Sequence, residues 1–517
     1  MKNFNLMKFK SLLLTVLLIL TFLLVTGCGS GQSQYQLDFT DNGEEYEIKM
    51  LLYINSGVKP TNVVAVEREL NKILKEKINA TIKIDAIVKD NYNTAVGNEI
   101  NAAAKFDLCF TSPDINAYAP NVKKRAFIAL DNLLPTYAPE TYNAIPKEIW
   151  EQAKIDGHIF GAVNEQIFPR AYAYKTDADY GAENLSDFLA EKYNGILPEQ
   201  IYMLSSLSDG SEYTPFGFME EYLKWLKLNG RGYGGKISKV EIEPALLTWY
   251  GYDDLGSGMK TPGAVKVTDG TYTVVNQFES ADFKELIDTI YRWDSENYLD
   301  ELAPNQDLIT DSTWKPGYLE GRIMKLSEGR YFTSYVIGSM NAISATSKNP
   351  ARVMKFIELM RTNEDVHNLL QYGVENISYV LKRDEQTGEP VEPKRIESFI
   401  NSGGYDNREF GWGLGTEFNS YLVNGQSDDN WDKVKEINEQ TPMGELIGFT
   451  FNSDGYELII QNCMAIVQEY LPAFENANYA LSEKDAKIAE FIGKLKSAGA
   501  DRLIQAKQEQ LNKFLDK

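Results

Sequence analysis

The feature that most constrains the fold is an alternation of strand and helix patterns at the start of the polar chain. Glu47 to Ile54 is strand-like, and Asn62 is placed to cap a helix running to about Lys77, in which Val66, Leu70, Ile73 and Leu74 recur at helical spacing. Ala80 to Ile87 alternates apolar and polar residues with Ile82 and Ile84 on one face. A helical stretch from Tyr92 to Ala104 then leads to the apolar segment Phe106 to Phe110. Strands that alternate with helices must lie parallel, because each helix carries the chain back across the sheet. Ligands of such sheets sit beyond the carboxyl ends of the strands. That rule points to Tyr53, Asn55 and Ser56 after the first strand, and to Thr111, Ser112 and Asp114 after the third.

The N-terminus reads differently. Lys2, Lys8 and Lys10 precede an apolar run from Leu12 to Leu24, broken only by Thr15 and Thr21. The run is shorter than the about 20 residues a spanning helix needs, so residues 1–27 read as a secretory signal peptide. Val25-Thr26-Gly27-Cys28 resembles a bacterial lipobox, with Cys28 as the lipidated residue and residues 28–45 as a flexible tether. Without residues 1–27, Lys+Arg falls from 52 to 49 against 74 Asp+Glu, a formal net charge of −25. So acidic a chain is unsuited to nucleic acid or to anionic headgroups, which demand a cationic surface. Cys109 and Cys463 are expected to be buried free thiols, although an extracytoplasmic setting would permit a disulfide.

Further along, Lys154 to Gln166 reads as paired strands turning at Asp156-Gly157. Helices are expected at Phe218 to Leu228 and Ala281 to Tyr291, and loops at Gly230 to Gly235 and Gly256 to Gly263. Asn349-Pro350 is a helix start whose buried stripe is Val353, Met354, Ile357 and Met360. A helix from Asn363-Glu364 closes at Gly373, and two amphipathic helices separated by Gly499 end the chain.

Several motifs lose against their bland readings. Gly230 to Gly235 satisfies G-x-G-x-x-G, but a helical pattern precedes it and an extended one follows, the reverse of what a phosphate site requires. Ser312-Thr313-Trp314-Lys315 fits S-x-x-K without S-D-N or K-T-G anywhere. The two histidines, His158 and His367, are far apart in sequence, so neither a zinc site nor a Ser-His-Asp triad is expected. The 74 carboxylates single out no glycosidase-like pair.

Aromatics carry the positive signal. Trp249-Tyr250-Gly251-Tyr252-Asp253-Asp254, Trp314 and Gly411-Trp412-Gly413 lie in polar, glycine-rich surroundings rather than periodic ones. A sugar offers an apolar C–H face to such rings and hydroxyl edges to short polar side chains. Trp249, Tyr250, Trp314 and Trp412 are therefore candidates to line a carbohydrate cleft, with core packing as the alternative for each.

Over nearly the whole polar chain the sequence resembles extracellular solute-binding proteins of family 1, in the lipoprotein branch that ends in a C-terminal domain of unknown function. The matching stretches include Lys105 to Ser112, Gly157 to Gln166, Thr346 to Pro350, Asn368 to Glu375, Gly448-Phe449-Thr450-Phe451 and Leu495 to Leu515. The resemblance implies an α/β, two-lobed, periplasmic-binding-protein-like fold of type II that closes on ligand through hinge strands. One lobe would comprise 46–162 plus about 340–405, the other about 163–339 plus about 406–517. It implies that Tyr53, Asn55, Thr111, Ser112, Asn164, Glu165 and Gln166 face the cleft. Where the branch tends to show Asn-Tyr-Gln this chain has Asn164-Glu165-Gln166, and Gly415-Thr416-Glu417-Phe418 stands for Gly-Asn-Gln-Phe. Both departures add acid near the expected site.

The function so implied is that of an extracytoplasmic receptor that captures a di- or oligosaccharide for an ABC permease, without enzymatic activity. The protein would be a monomer held to the outer membrane face through Cys28, with no metal and no cofactor. A peptide- or amino-sugar-binding receptor and a surface glycosidase are the alternatives.

Overall fold

The alternating pattern folds as the physics of a doubly covered sheet requires. In the computed structural model, which describes residues 39–175, 181–300, 308–312, 323–400, 402, 404–423 and 425–516, β1 (Tyr46–Ile54), α1 (Val63–Ile78), β2 (Ala80–Val88), α2 (Lys89–Asn101) and β3 (Leu108–Thr111) follow one another. The sheet order is β2, β1, β3, then Met340–Ile343 and Ala162–Val163. β1 pairs in parallel with β2 from Tyr46↔Ala80 to Ile54↔Val88, and with β3 at Met50↔Leu108. The two late strands join antiparallel, Met340 opposite both Thr111 and Val163. Residues 50–54 are buried without alternation, as expected where helices cover both faces.

An edge strand exposes unpaired backbone donors, and here α1 satisfies them. The Ile84 amide donates to Glu67 Oε1 at 2.8 Å and the Ile82 amide to Asn71 Oδ1 at 2.7 Å. Asn62 precedes α1 without the side-chain capping bond expected of it. The hairpin at Asp156-Gly157 forms as read, Lys154–Ile155 against His158–Ile159, with both turn residues at positive φ. Asn349 caps Pro350–Thr362 through the Arg352 amide, and Gly373 ends Glu364–Tyr372.

A second core is built on a four-stranded sheet, ordered Ile323–Lys325, Ala171–Lys175, Leu308–Ser312, Lys239–Val240. Helices Pro215–Leu228, Ala281–Ser295 and Glu457–Glu475 contribute to this core. A third, smaller core joins the three-stranded sheet of Tyr252–Asp253, Ala264–Lys266 and Val274–Val275 to the C-terminal helix Ala500–Leu515. Cys109 belongs to the first core and Cys463 to the second; both are free and buried. Burial pushes the Cys109 thiol up to about 12.

Three sequence expectations need correction. Residues 39–45, expected to be tether, are pinned: Asp41 pairs with the buried Arg352 (2.7 Å) and with Lys355 (2.7 Å). Phe410 and Leu414, expected in the second lobe, pack in the first core because the Phe410 ring fits between Tyr53 and Phe110. Gly232–Gly235 forms a short helical turn rather than open loop, yet a helix still precedes it and a strand follows. Cys28 lies outside the described residues. Among those described, no helix is long and apolar enough to cross a membrane.

Candidate functional site

The carboxyl ends of β1 and β3 converge on an aromatic cluster. Tyr53 meets Tyr92 edge-on at 5.1 Å, Phe410 at 4.9 Å and Phe110 at 5.6 Å. Trp412 completes the cluster edge-on to Phe410 and Phe110, at 4.9 and 5.5 Å. Tyr53 is buried, whereas Trp412 is only partly so, and its indole N–H donates to the Glu409 carbonyl. Trp412 is therefore the ring this cluster presents. Its neighbours are small for a reason: a Cβ on Gly413 would fall about 2.2 Å from the Phe410 ring.

The turn after β1 is held by Asn407, which no periodicity marks. Its amide donates to the Tyr53 carbonyl at 3.0 Å and its carbonyl accepts from the Asn55 amide at 3.0 Å. Ser56 donates to the Asp406 carbonyl. Asn55 is half-buried, so its side chain keeps an open side. Thr111 is fully buried and donates to the Asn116 carbonyl, while Ser112 accepts from the amides of Asp114 and Ile115. These two shape the loop from within.

Asn164 lies in a buried polar network between the late strands. Its amide donates to Ser339 Oγ at 2.9 Å; its carbonyl accepts from Asn341 at 2.7 Å and from the Gly415 amide at 2.9 Å. Ser339 in turn donates to the Trp412 carbonyl at 2.8 Å, so the network fixes the backbone that carries the tryptophan. Gln166 is buried, its carbonyl accepting from Asn438. The acid expected from Glu165 is neutralised internally. Its carboxylate pairs with Arg361 at 2.7 Å and accepts from Thr416 Oγ1 at 2.8 Å, since both rise from segments packed beside it.

The second lobe contributes Trp249 and Tyr250. Trp249 sits not in a loop but at the end of a π-helical turn, Ala245–Trp249, half-buried against the second core. Tyr250 is buried, and burial, with Glu285 and Asp282 nearby, holds its hydroxyl well above the ordinary phenol range. Just before this turn Glu243 is pushed up to about 7, chiefly by burial. Lys260, at 3.9 Å, opposes that shift; Glu475 and, from the first lobe, Asp114 add to it. Sequence reasoning misses Glu243 because an acid among 74 carries no pattern. Trp314 lies outside the described residues.

No group of three or more metal-ligating side chains converges among the described residues. His158 meets Asp131 at 3.2 Å, and His367 is buried against the Leu414 carbonyl, in a different part of the lobe. The first lobe thus carries an aromatic and polar cluster at its strand ends, and the second lobe a half-buried tryptophan beside a buried acid. That is the equipment of a binding cleft between two lobes.

Comparison with known proteins agrees. Residues 445–516 match the family described as domain of unknown function DUF3502. Over 499 residues the chain is 23% identical to a carbohydrate ABC transporter substrate-binding protein of Streptococcus pneumoniae, covering 92% of each. The fold superimposes with a TM-score of 0.71, at 20% identity, on the N-glycan transport solute-binding protein NgtS from Streptococcus pneumoniae, covering 91% of this chain and 99% of that one. For the same protein in complex with Man5GlcNAc the TM-score is 0.66, with 91% and 98% covered at 20% identity. The chain has the fold of the two-lobed ABC-transporter solute-binding proteins and carries the DUF3502 domain at its C-terminal end.

Proposed function

We propose that this protein is the extracytoplasmic receptor of an ABC importer and captures an oligosaccharide between its lobes. The observation that carries the reading is Trp412: a half-open indole, locked by aromatic neighbours and by the Asn164–Ser339 network, beside polar groups at the strand ends. A locked ring loses little freedom when a sugar face packs on it, which favours binding. The similarity to NgtS, crystallised with Man5GlcNAc, supports a glycan of that class as ligand. Asn55 and Trp249 are the other proposed contacts, with Tyr53, Thr111, Ser112, Asn164, Gln166 and Tyr250 shaping the walls behind them. Glu165, paired with Arg361, keeps its place in the lobe rather than binding an amine.

The residues serve binding without covalent chemistry, and the substrate-binding relatives support a receptor rather than a hydrolase. Closure would follow from tighter binding to the closed state, which the permease reads. Lipidation at Cys28 would hold the receptor beside that permease at high effective concentration.

Calorimetric titration with Man5GlcNAc and with peptides of similar size tests the ligand class. Glycan binding that weakens about ten-fold in Trp412→Ala, about 1.4 kcal/mol, is the expected result. Binding of peptides alone would overturn the carbohydrate reading, and release of shorter sugars on long incubation would overturn the receptor reading.

A further inference from the structure

Three segments pass between the first and second or third cores among the described residues. Phe168 packs in the first core and Tyr172 in the second. Tyr331 packs in the first, Phe332 in the second, and Val336 in the first again. Leu446 and Phe449 pack in the third core, but Ile447 between them packs in the first. The last of these crossings lies inside the DUF3502 domain, for which no role is assigned.

That domain grips both sides of the joint. On the first lobe, Gln152, at the end of the helix Lys147–Gln152, is buried and makes paired bonds to it. Its amide donates to the Phe449 carbonyl at 2.7 Å and its carbonyl accepts from the Gly448 amide at 2.8 Å. Lys123 of the same lobe pairs with Asp454 at 2.5 Å. On the other side, two buried neighbours, Asp253 and Asp254, hold the second crossing. Asp253 accepts from the Thr333 hydroxyl (2.5 Å) and amide (2.9 Å), and Asp254 accepts from Ser334 Oγ at 2.7 Å.

Two adjacent buried carboxylates repel each other, and a nearby cation offsets part of that cost. The DUF3502 domain supplies one: Lys507, on the C-terminal helix Ala500–Leu515, is fully buried. Its ammonium donates to the Gly263 carbonyl at 2.7 Å, directly before the strand Ala264–Lys266. Val265 of that strand pairs with Asp253, so the C-terminal helix is tied to the strand beside the two carboxylates. Burial pulls Lys507 down to about 8 and pushes Asp254 up to about 7, with Cys463 the remaining titratable group facing Lys507.

We propose that the DUF3502 domain is an interlobe strut that sets the resting angle between the lobes, with Lys507 the positioning residue that acts on the second crossing through Asp253 and Asp254. Gln152 is where the strut meets the first lobe. The proposal rests on the two-lobed receptor reading only in that the lobes move relative to each other, and not on which ligand they take.

The test measures the interlobe distance without ligand. Spin labels placed by Val58→Cys on the first lobe and Leu228→Cys on the second occupy exposed positions, whereas Cys109 and Cys463 are buried and silent. In a Cys28→Ser background, double electron–electron resonance then reads the separation. Lys507→Met is expected to broaden the distribution or move its centre by more than about 2 Å. Lys507→Arg, which keeps the charge, and the neutral triple Asp253→Asn, Asp254→Asn, Lys507→Met are expected to restore it towards the parent. Gln152→Ala, which cuts the strut's other end and touches no charge, is expected to shift the distribution as well, and decides the matter if Lys507→Met does not fold. A parent-like distribution in Gln152→Ala, or in folded Lys507→Met, overturns the proposal. Since no sugar is added, that failure is distinct from failure to bind Man5GlcNAc.

Discussion

Two buried charge clusters of the same composition class sit in different parts of this molecule and are solved in opposite ways. In the first lobe Asp41 is forked onto Arg352, Oδ2 accepting from Nε at 3.0 Å and Oδ1 from Nη2 at 2.7 Å, with Lys355 also bound. Burial pushes the Asp41 carboxyl up, but the two cations outweigh it and hold it well below the ordinary carboxylate range. At the joint, Asp253 and Asp254 receive hydroxyls and amides instead, and their cation acts through space, so burial wins and both are raised. Direct, geometrically matched pairing makes a buried acid a reliable anchor; compensation at a distance leaves it poised near neutrality.

The largest effect is expected at Asp41. Asp41→Ala strands a guanidinium of which 2% is exposed, and should destabilise the protein by about 3–5 kcal/mol in urea unfolding. Because the folded pKa is depressed, this contribution is present above the ordinary 3.8 and is lost as pH falls below it. A loss under about 1 kcal/mol would mean that residues 39–45 are a tether after all. Asp254→Asn should do the opposite. Its folded pKa is raised from 3.8 to about 7, so the folded state holds the proton more tightly, and the contribution present at low pH fades as pH rises through 7. At pH 8 the variant should be as stable as the parent or more so, by about 1–2 kcal/mol. The parent's decline in stability between acid and neutral pH should flatten. Thermal unfolding across that range checks both, and an unchanged slope would show the carboxylate to be properly paired.

How much of this was legible in sequence follows from what leaves a periodic trace. α1, β2, the helix after Asn349-Pro350 and the terminal helices are legible because their burial repeats at 3.6 or 2 residues, whereas β1 shows itself as a continuous apolar run. The strand-end rule picks out Tyr53 and Asn55, and the flanking glycines pick out Trp412, and the structure places Tyr53 and Trp412 in one aromatic cluster. Asn407 lies 352 residues in sequence from the Asn55 it holds, and Ser339 and Asn341 lie 73 and 72 residues before the Trp412 and Gly413 carbonyls they bind, and one sequence without covariation carries no mark of such pairing. The same holds for Glu165, whose charge is visible in sequence while Arg361, which pairs with it, lies on a helix almost two hundred residues further on. Phe410 departs from the lobe its sequence position suggests because its ring fills the gap that Tyr53 and Phe110 leave in the first core.

A third acid extends the comparison to the smallest effect. Glu243 has neither the fork of Asp41 nor the full enclosure of Asp254; burial raises it, Lys260 lowers it, and Asp114 reaches it from the opposite lobe. Like charges across a cleft repel, so the Asp114 contribution depends on how far apart the lobes stand in solution. Asp114→Asn should lower the Glu243 titration by a few tenths of a pH unit, on the order of 0.5 kcal/mol, read by carbon-13 NMR of the carboxyl. Raising the salt concentration should shrink the difference if solvent fills the space between the two acids. If Asp114→Asn leaves Glu243 unmoved at low salt, the ligand-free lobes stand farther apart than here, and Glu243 owes its shift to burial and Glu475 within its own lobe. A shift that vanishes only in Gln152→Ala would instead tie the separation of these two acids to the strut at the joint.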